Sequence, residues 1–167
     1  DGVNRQRVLK MLAAISRSRR PWVCSTHRVE DIPPAATHLA LLDAGRMIWQ
    51  GPLTLARRRR LESAMAAELQ PMRRLPRRAV PAKCGEPLIR ARNAWVWLEG
   101  QAVLRRLAFD IHPGQCWVVH GPNGSGKSTL IRALYGDLGV ASQGQLRRRG
   151  IEPGVAIADF KSQVGLV

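Results

Sequence analysis

The stretch Gly121-Pro-Asn-Gly-Ser-Gly-Lys-Ser-Thr129 constrains this chain more than any other, because it satisfies the whole G-x-x-x-x-G-K-[ST] pattern of a phosphate-cradling loop. Gly121, Gly124 and Gly126 carry no Cβ, so the backbone can turn tightly and point successive N–H groups at phosphate oxygens. Lys127 sets a mobile positive charge beside the β- and γ-phosphates. Ser128 offers a hydroxyl to Mg²⁺, and a helix beginning near Gly126 aims its positive end at the anion. Gly-rich connecting loops match such patterns by chance, so the flanks carry weight. Before the loop, Gln115-Cys-Trp-Val-Val-His120 is an apolar, β-branched run entered from the turn His112-Pro-Gly114, which predicts a buried strand. After it, Leu130, Ile131 and Leu134 fall at helical spacing and Gly136 supplies a stop. Strand, loop and helix follow in the order that a nucleoside triphosphate site in an α/β fold requires.

Composition narrows the remaining classes. With 45% hydrophobic and 23% charged residues in 167, the chain reads as globular, with one ordinary core. No apolar run approaches the ~18 residues of a membrane span. The start Asp-Gly-Val-Asn lacks a basic region followed by a hydrophobic stretch, so no signal peptide is expected and the chain reads as cytoplasmic. Cys24, Cys84 and Cys116 are three, far apart and outside any C-x-x-C, which supports neither zinc nor a disulfide framework. Cys24 and Cys116 sit in strand-like apolar runs and read as buried thiols.

The net charge of +15, from 27 Lys and Arg against 12 Asp and Glu, suggests an anionic partner, either nucleic acid or an acidic membrane surface. The charge is concentrated in Arg57 to Arg60, in Arg73, Arg74, Arg77 and Arg78, and in Arg147 to Arg149. Aromatic residues do not interleave with these runs, so no base-stacking platform is indicated. A solvated linker or helix face is the plainer reading.

The chain changes character in its middle. From Thr54 to Glu86 it is rich in Arg and Ala, with Pro71, Pro76 and Pro81, and shows a helical stretch over Leu55 to Leu69. Upstream, Val8, Leu9, Leu12 and Ile15 predict an amphipathic helix with Asn4 as its N-cap. A strand at Pro21 to Ser25 follows, then a hairpin of Leu39 to Leu42 and Arg46 to Gln50 around the turn Asp43-Ala-Gly45. Downstream, Leu88 to Trp97 and Gln101 to Ile111 predict two strands ahead of the phosphate loop, with Trp95 and Trp97 on one face of the first.

Taken together, Val103-Leu-Arg-Arg-Leu-Ala-Phe-Asp-Ile-His-Pro-Gly-Gln-Cys-Trp-Val-Val-His-Gly-Pro-Asn-Gly-Ser-Gly-Lys-Ser-Thr-Leu130 resembles the opening of an ATP-binding-cassette (ABC) ATPase domain. The upstream block resembles the end of another. Asp1-Gly-Val-Asn4 stands at the place of the D-loop, Ser25-Thr-His-Arg28 at that of the switch-histidine loop, and Leu42 to Gly51 at that of the closing hairpin. In a single cassette the histidine follows the phosphate loop; here it precedes it. The expectation is therefore a window across a tandem protein, with 1–52 the end of one cassette, 53–86 a basic linker and 87–167 the start of the next. The fold class that follows is α/β, built from pieces of P-loop NTPase with a partial core and antiparallel β-subdomain strands.

The resemblance implies roles residue by residue. Gly121, Pro122, Asn123, Gly124, Ser125, Gly126, Lys127, Ser128 and Thr129 would hold the phosphates of ATP, with Ser128 also on Mg²⁺. Trp97 would stack on adenine, with Trp95 as the second choice. His27 would contact the γ-phosphate and the attacking water. In the head-to-tail pairing implied for the parent, Asp1 to Asn4 would approach the site of Lys127 while His27 would serve the other site. Asn4 departs from the Asp usual there. The signature loop, the Mg²⁺-binding Asp and the catalytic Glu are not found, so weak nucleotide binding without turnover is expected. The implied partners are a second cassette of the same chain or a homodimer, and separate membrane permeases that would bring the protein to the inner face of the membrane. Phrases such as Thr26-His-Arg-Val-Glu-Asp-Ile-Pro33 most resemble tandem ATP-binding proteins of molybdate transport or photorepair. The alternative is a soluble ABC ATPase acting on the ribosome or other nucleic acid.

Overall fold

The computed structural model describes residues 2–17, 20–65, 85–141, 143–151 and 157–163. The elements in chain order are α1 (Gly2–Arg17), β1 (Trp22–Thr26), a 3₁₀ turn at Val29–Asp31, β2 (His38–Asp43), β3 (Arg46–Pro52), α2 (Leu55–Met65), β4 (Ile89–Leu98), β5 (Gln101–Ile111), β6 (Cys116–His120), α3 (Lys127–Tyr135), β7 (Gln145–Arg148) and α4 (Ile157–Gln163). β1 to β6 and the loop helix fall where the residue patterns predict them, whereas the patterns do not predict β7 and α4. Two details differ. The first helix begins at Gly2, so Asn4 lies within its first turn and is not the cap. Its apolar face is also narrower than the spacing suggests, because Leu12 is buried while Val8 is exposed.

Four strands form one sheet in the order β1-β6-β2-β3. β6 runs parallel to both β1 and β2, with Thr26 opposite His120 on one side and Leu41 opposite His120 on the other. β2 and β3 form the antiparallel hairpin, with a register shift between Leu41 and Leu42. All five residues of β6 are buried, as expected of a central parallel strand covered on both faces. Trp117 and Val119 point into a core shared with α3, β4 and β5, while Cys116 and Val118 point into a second core. That second core is built by Leu12, Trp22, Val29, Ile32, Trp49 and Leu61, among others.

The upstream and downstream blocks interleave in this sheet. The two blocks on either side of the basic segment do not form separate sheets: the centre strand β6 comes from the downstream block and both of its neighbours come from the upstream one. A fully buried strand has two edges of N–H and C=O groups to satisfy, and β1 and β2 satisfy both.

A second, antiparallel sheet of order β5-β4-β7 covers the first core. Its inner face is Ala91, Ala94, Val96, Leu104, Leu107 and Phe109. β4 and β5 are irregular, with Asn93 and Arg106 at positive φ, and the Asn93 bulge receives the backbone turn at Gly144.

The arginine runs are partly structural, which corrects their reading as a solvated face. Arg58 donates to the carbonyls of Ile32 (2.9 Å) and Pro33 (2.7 Å), and Arg57 lies over the Trp49 ring at 5.2 Å. Leu61 on the same helix is fully buried. Arg148 donates to the carbonyls of Ala133 and Leu134 at the end of α3, where helix geometry leaves acceptors open. The rest of the basic segment, including Arg73, Arg74, Arg77, Arg78 and Cys84, lies outside the described residues.

Candidate nucleotide site

β6 ends at His120 and the phosphate loop leaves it at Gly121. Gly121 is required by close approach: a Cβ there would stand 2.0 Å from the Leu42 carbonyl oxygen. Gly126 is required by conformation, at φ +97, and its position against Leu104 Cδ2 leaves no room for a side chain. The first bond of α3 runs from the Leu130 N–H to the Gly126 carbonyl at 2.8 Å. The N–H groups of Lys127, Ser128 and Thr129 therefore have no intrahelical acceptor and face the loop mouth with the positive end of the helix dipole.

Lys127 folds over the loop and donates to the carbonyls of Gly121 (2.9 Å) and Pro122 (2.8 Å). Partial burial lowers its pKa from the usual lysine value. An incoming phosphate offers the ammonium a charged acceptor in place of two neutral carbonyls. Pro122, Asn123, Gly124 and Ser128 are exposed, Gly126 and Thr129 are half-buried, and Ser125 is buried with its Oγ unpartnered among the described residues.

The upstream block touches this loop directly. The Gly45 N–H of the β2–β3 turn donates to the Ser125 carbonyl at 3.1 Å, and the Gly45 carbonyl accepts from the Arg105 N–H at 2.8 Å. Sequence reasoning found the turn but not its contact, because a hairpin signal is local and its partner lies far along the chain.

His27 follows β1, whose last residue, Thr26, is in register with His120. Neighbouring strands lie about 4.8 Å apart, so His27 and Gly121 emerge side by side at one end of the sheet. The sequence reading sends His27 to a different site from Lys127; here His27 and the loop that carries Lys127 leave the same end of the sheet. His27 is exposed. His120, the last residue of the predicted buried strand, is 2% exposed, with Nδ1 unpartnered among the described residues. Burial lowers its pKa, the positive charges of Lys127 and His27 lower it further, and Glu30 opposes them. His120 is therefore held neutral beneath the loop.

Trp97 is 49% exposed near the end of β4, and its ring stacks with Trp95 at 6.4 Å between centroids, with 17° between planes. An open indole face of this kind suits a planar base. Of the residues that resemble a D-loop, Asp1 lies outside the described residues and Gly2 to Asn4 are helical. Among the described residues no group of three or more His, Cys, Asp or Glu could hold a metal ion. Cys24 and Cys116 are free, and burial first, with Cys116 second, pushes the Cys24 thiol up to about 12, so it is an inert core group. No helix among the described residues is long and apolar enough to cross a membrane.

A strand, a glycine-rich loop with an inward lysine and a helix starting on the loop define a P-loop NTPase fold. A family profile described as "ABC transporter" matches residues 104–167. The chain is 30% identical, over its whole length, to the ABC transporter ATP-binding protein ModF of Escherichia coli K12, of which it spans 36%. It is 27% identical over 98% of its length to the uncharacterized ABC transporter ATP-binding protein C323.04 of Schizosaccharomyces pombe, spanning 33% of that protein. Over 68 residues, 41% of the chain, it is 41% identical to the zinc import ATP-binding protein ZnuC 1 of Hahella chejuensis, spanning 27% of it. The chain thus covers roughly a third of each of these curated relatives. No solved structure matches it. The part of the chain that matches the ABC transporter profile, residues 104–167, includes the whole phosphate loop.

Proposed function

We propose that this chain spans the junction of a tandem ABC ATPase, with 1–52 closing one cassette, 53–86 connecting, and 87–167 opening the next. Its immediate activity is to bind ATP. The observation that carries the reading is the phosphate loop, in which Lys127 and the open N–H groups of α3 face one mouth. Gly121 to Thr129 hold the phosphates, and Trp97 receives the adenine. Mg²⁺, when bound with the nucleotide, would neutralise charge between the phosphates, and the exposed Ser128 hydroxyl is the side-chain ligand this chain offers it. His27 is the candidate to contact the γ-phosphate. It is supported by the emergence of β1 beside β6, which gives the histidine the neighbour it would have within one cassette.

In the intact parent the cassettes hydrolyse ATP and energise transport through separate permease chains, from the inner face of the membrane. Pairing is with a second cassette of the same chain or with a second copy. ModF and ZnuC 1, by their names ATP-binding proteins of transport systems, support this reading. The sequence shows no match to the signature loop, the Mg²⁺-binding Asp or the catalytic Glu of the family, so this chain by itself is expected to bind without turning over.

Titration of the 167-residue chain with a fluorescent ATP analogue tests the proposal. Saturable binding that weakens at least tenfold in Lys127→Ala, with no phosphate release above the enzyme-free blank, is the expected result. Equal affinity in Lys127→Ala sinks the site assignment. Lys127-dependent hydrolysis sinks the claim that the segment is catalytically incomplete.

A further inference from the structure

The outer face of the β5-β4-β7 sheet carries a cavity of about 260 Å³ lined by Arg90, Arg92, Gln145 and Arg147. It sits at the start of β4, whereas Trp97 sits at the other end, and it faces away from the core side occupied by Ala91 and Ala94. The register sets Arg90 directly opposite Arg147, and Arg92 opposite Gln145. Like charges directly opposed across strands destabilise a sheet unless something neutralises them. Asp110 on β5 supplies only part of that. It takes a two-pronged hydrogen bond from Arg92, at 2.8 and 2.7 Å, and a longer ion pair from Arg90 at 3.5 Å. Burial raises the Asp110 carboxyl, but the hydrogen bond and charge of Arg92, with Arg90 and His112, outweigh it and hold the pKa below the usual value. One fixed negative charge thus faces three guanidinium groups, and Arg147 has no ion pair among the described residues.

We propose that this cavity is a second anion site, separate from the phosphate loop, and that it takes a phosphate or diphosphate group. The fork of a guanidinium matches two oxygens of a tetrahedral oxyanion, and Arg90 and Arg147 stand on adjacent strands where one anion bridges both. Gln145 adds a neutral donor at the rim. Arg92, already committed to Asp110, fixes that carboxylate and holds the floor of the site. The cavity falls below the ~300 Å³ at which small-molecule pockets commonly begin, which suits a phosphate group better than a whole nucleotide.

The test uses the 167-residue chain labelled with ¹⁵N, at low ionic strength, titrated with inorganic pyrophosphate and in parallel with ADP. Lys127→Ala removes the contribution of the phosphate loop, and Arg147→Gln changes an exposed side chain that the core does not use. In Lys127→Ala, saturable shifts at the amides of residues 90–92 and 145–147 are expected. Arg147→Gln should weaken them about tenfold while leaving the response at residues 121–129 unchanged. Tighter binding of pyrophosphate assigns the site to free phosphate anions, and tighter binding of ADP assigns it to the phosphates of a nucleotide. Loss of the shifts in Lys127→Ala, no change in Arg147→Gln, or the same response to chloride at matched ionic strength overturns the proposal.

Discussion

Replacing Gly45 by alanine tests whether the upstream hairpin is part of the nucleotide site. Gly45 sits at φ +75 in the β2–β3 turn, and an added Cβ would stand 2.0 Å from the Val103 carbonyl oxygen and 3.0 Å from its carbon. Two costs add. The left-handed conformation costs an L-residue about 1–2 kcal/mol. Relieving a backbone clash of this depth adds about 1–3 kcal/mol. Gly114 supplies the control, because it has the same φ of +75 but an added Cβ meets nothing within 4 Å. Gly114→Ala should therefore cost only the conformational part, about 1–2 kcal/mol. Urea denaturation of both variants isolates the packing contribution as their difference, expected at about 1–3 kcal/mol. Because the Gly45 N–H bonds the Ser125 carbonyl, the same shift should loosen the phosphate loop and weaken the ATP analogue in Gly45→Ala but not in Gly114→Ala. Equal destabilisation of the two variants, or an unaltered ATP affinity in Gly45→Ala, would refute the contact between the hairpin and the loop.

Leu61→Ala should cost about 2–5 kcal/mol, because Leu61 is fully buried in the second core, and a loss below about 0.5 kcal/mol in the same denaturation assay would mean that α2 is a solvated connector. Stability should fall as pH drops from 7.5 to 5.5. Burial first, with His112 second, lowers the pKa of His38, and burial, Lys127 and His27 lower that of His120. The unfolded chain then takes up protons below about 6.5 that the folded chain refuses, so the contribution is full above that pH and lost on acidification. A urea midpoint that is flat across this window contradicts the neutral state of both rings.

Local signals made most of the fold legible. The strand, loop and helix around Lys127, the stop at Gly136 and the hairpin at Asp43 to Gly45 each rest on contacts within a few residues. Gly136 indeed adopts φ +98, and its N–H caps the Arg132 and Ala133 carbonyls. Long-range pairing was not legible. Nothing in Cys116 to His120 names β1 and β2 as its neighbours, since an apolar strand accepts any apolar partner with free edges. The arginine runs misled for a related reason. A guanidinium in solvent and one donating to the Ile32 and Pro33 carbonyls are identical in sequence, and only the position of the acceptors separates them.

The insertion of β6 between two strands that precede it in the sequence has a consequence for refolding. In refolding of the 167-residue chain, β1 and β2 offer β6 a slot with two open backbone edges, and the basic segment and two further strands lie between that slot and β6 in the sequence. Exposed edges recruit other chains, and closing a slot across so long an interval is slow. Refolding of this chain from denaturant should therefore be slow and should lose yield to aggregation as its concentration rises.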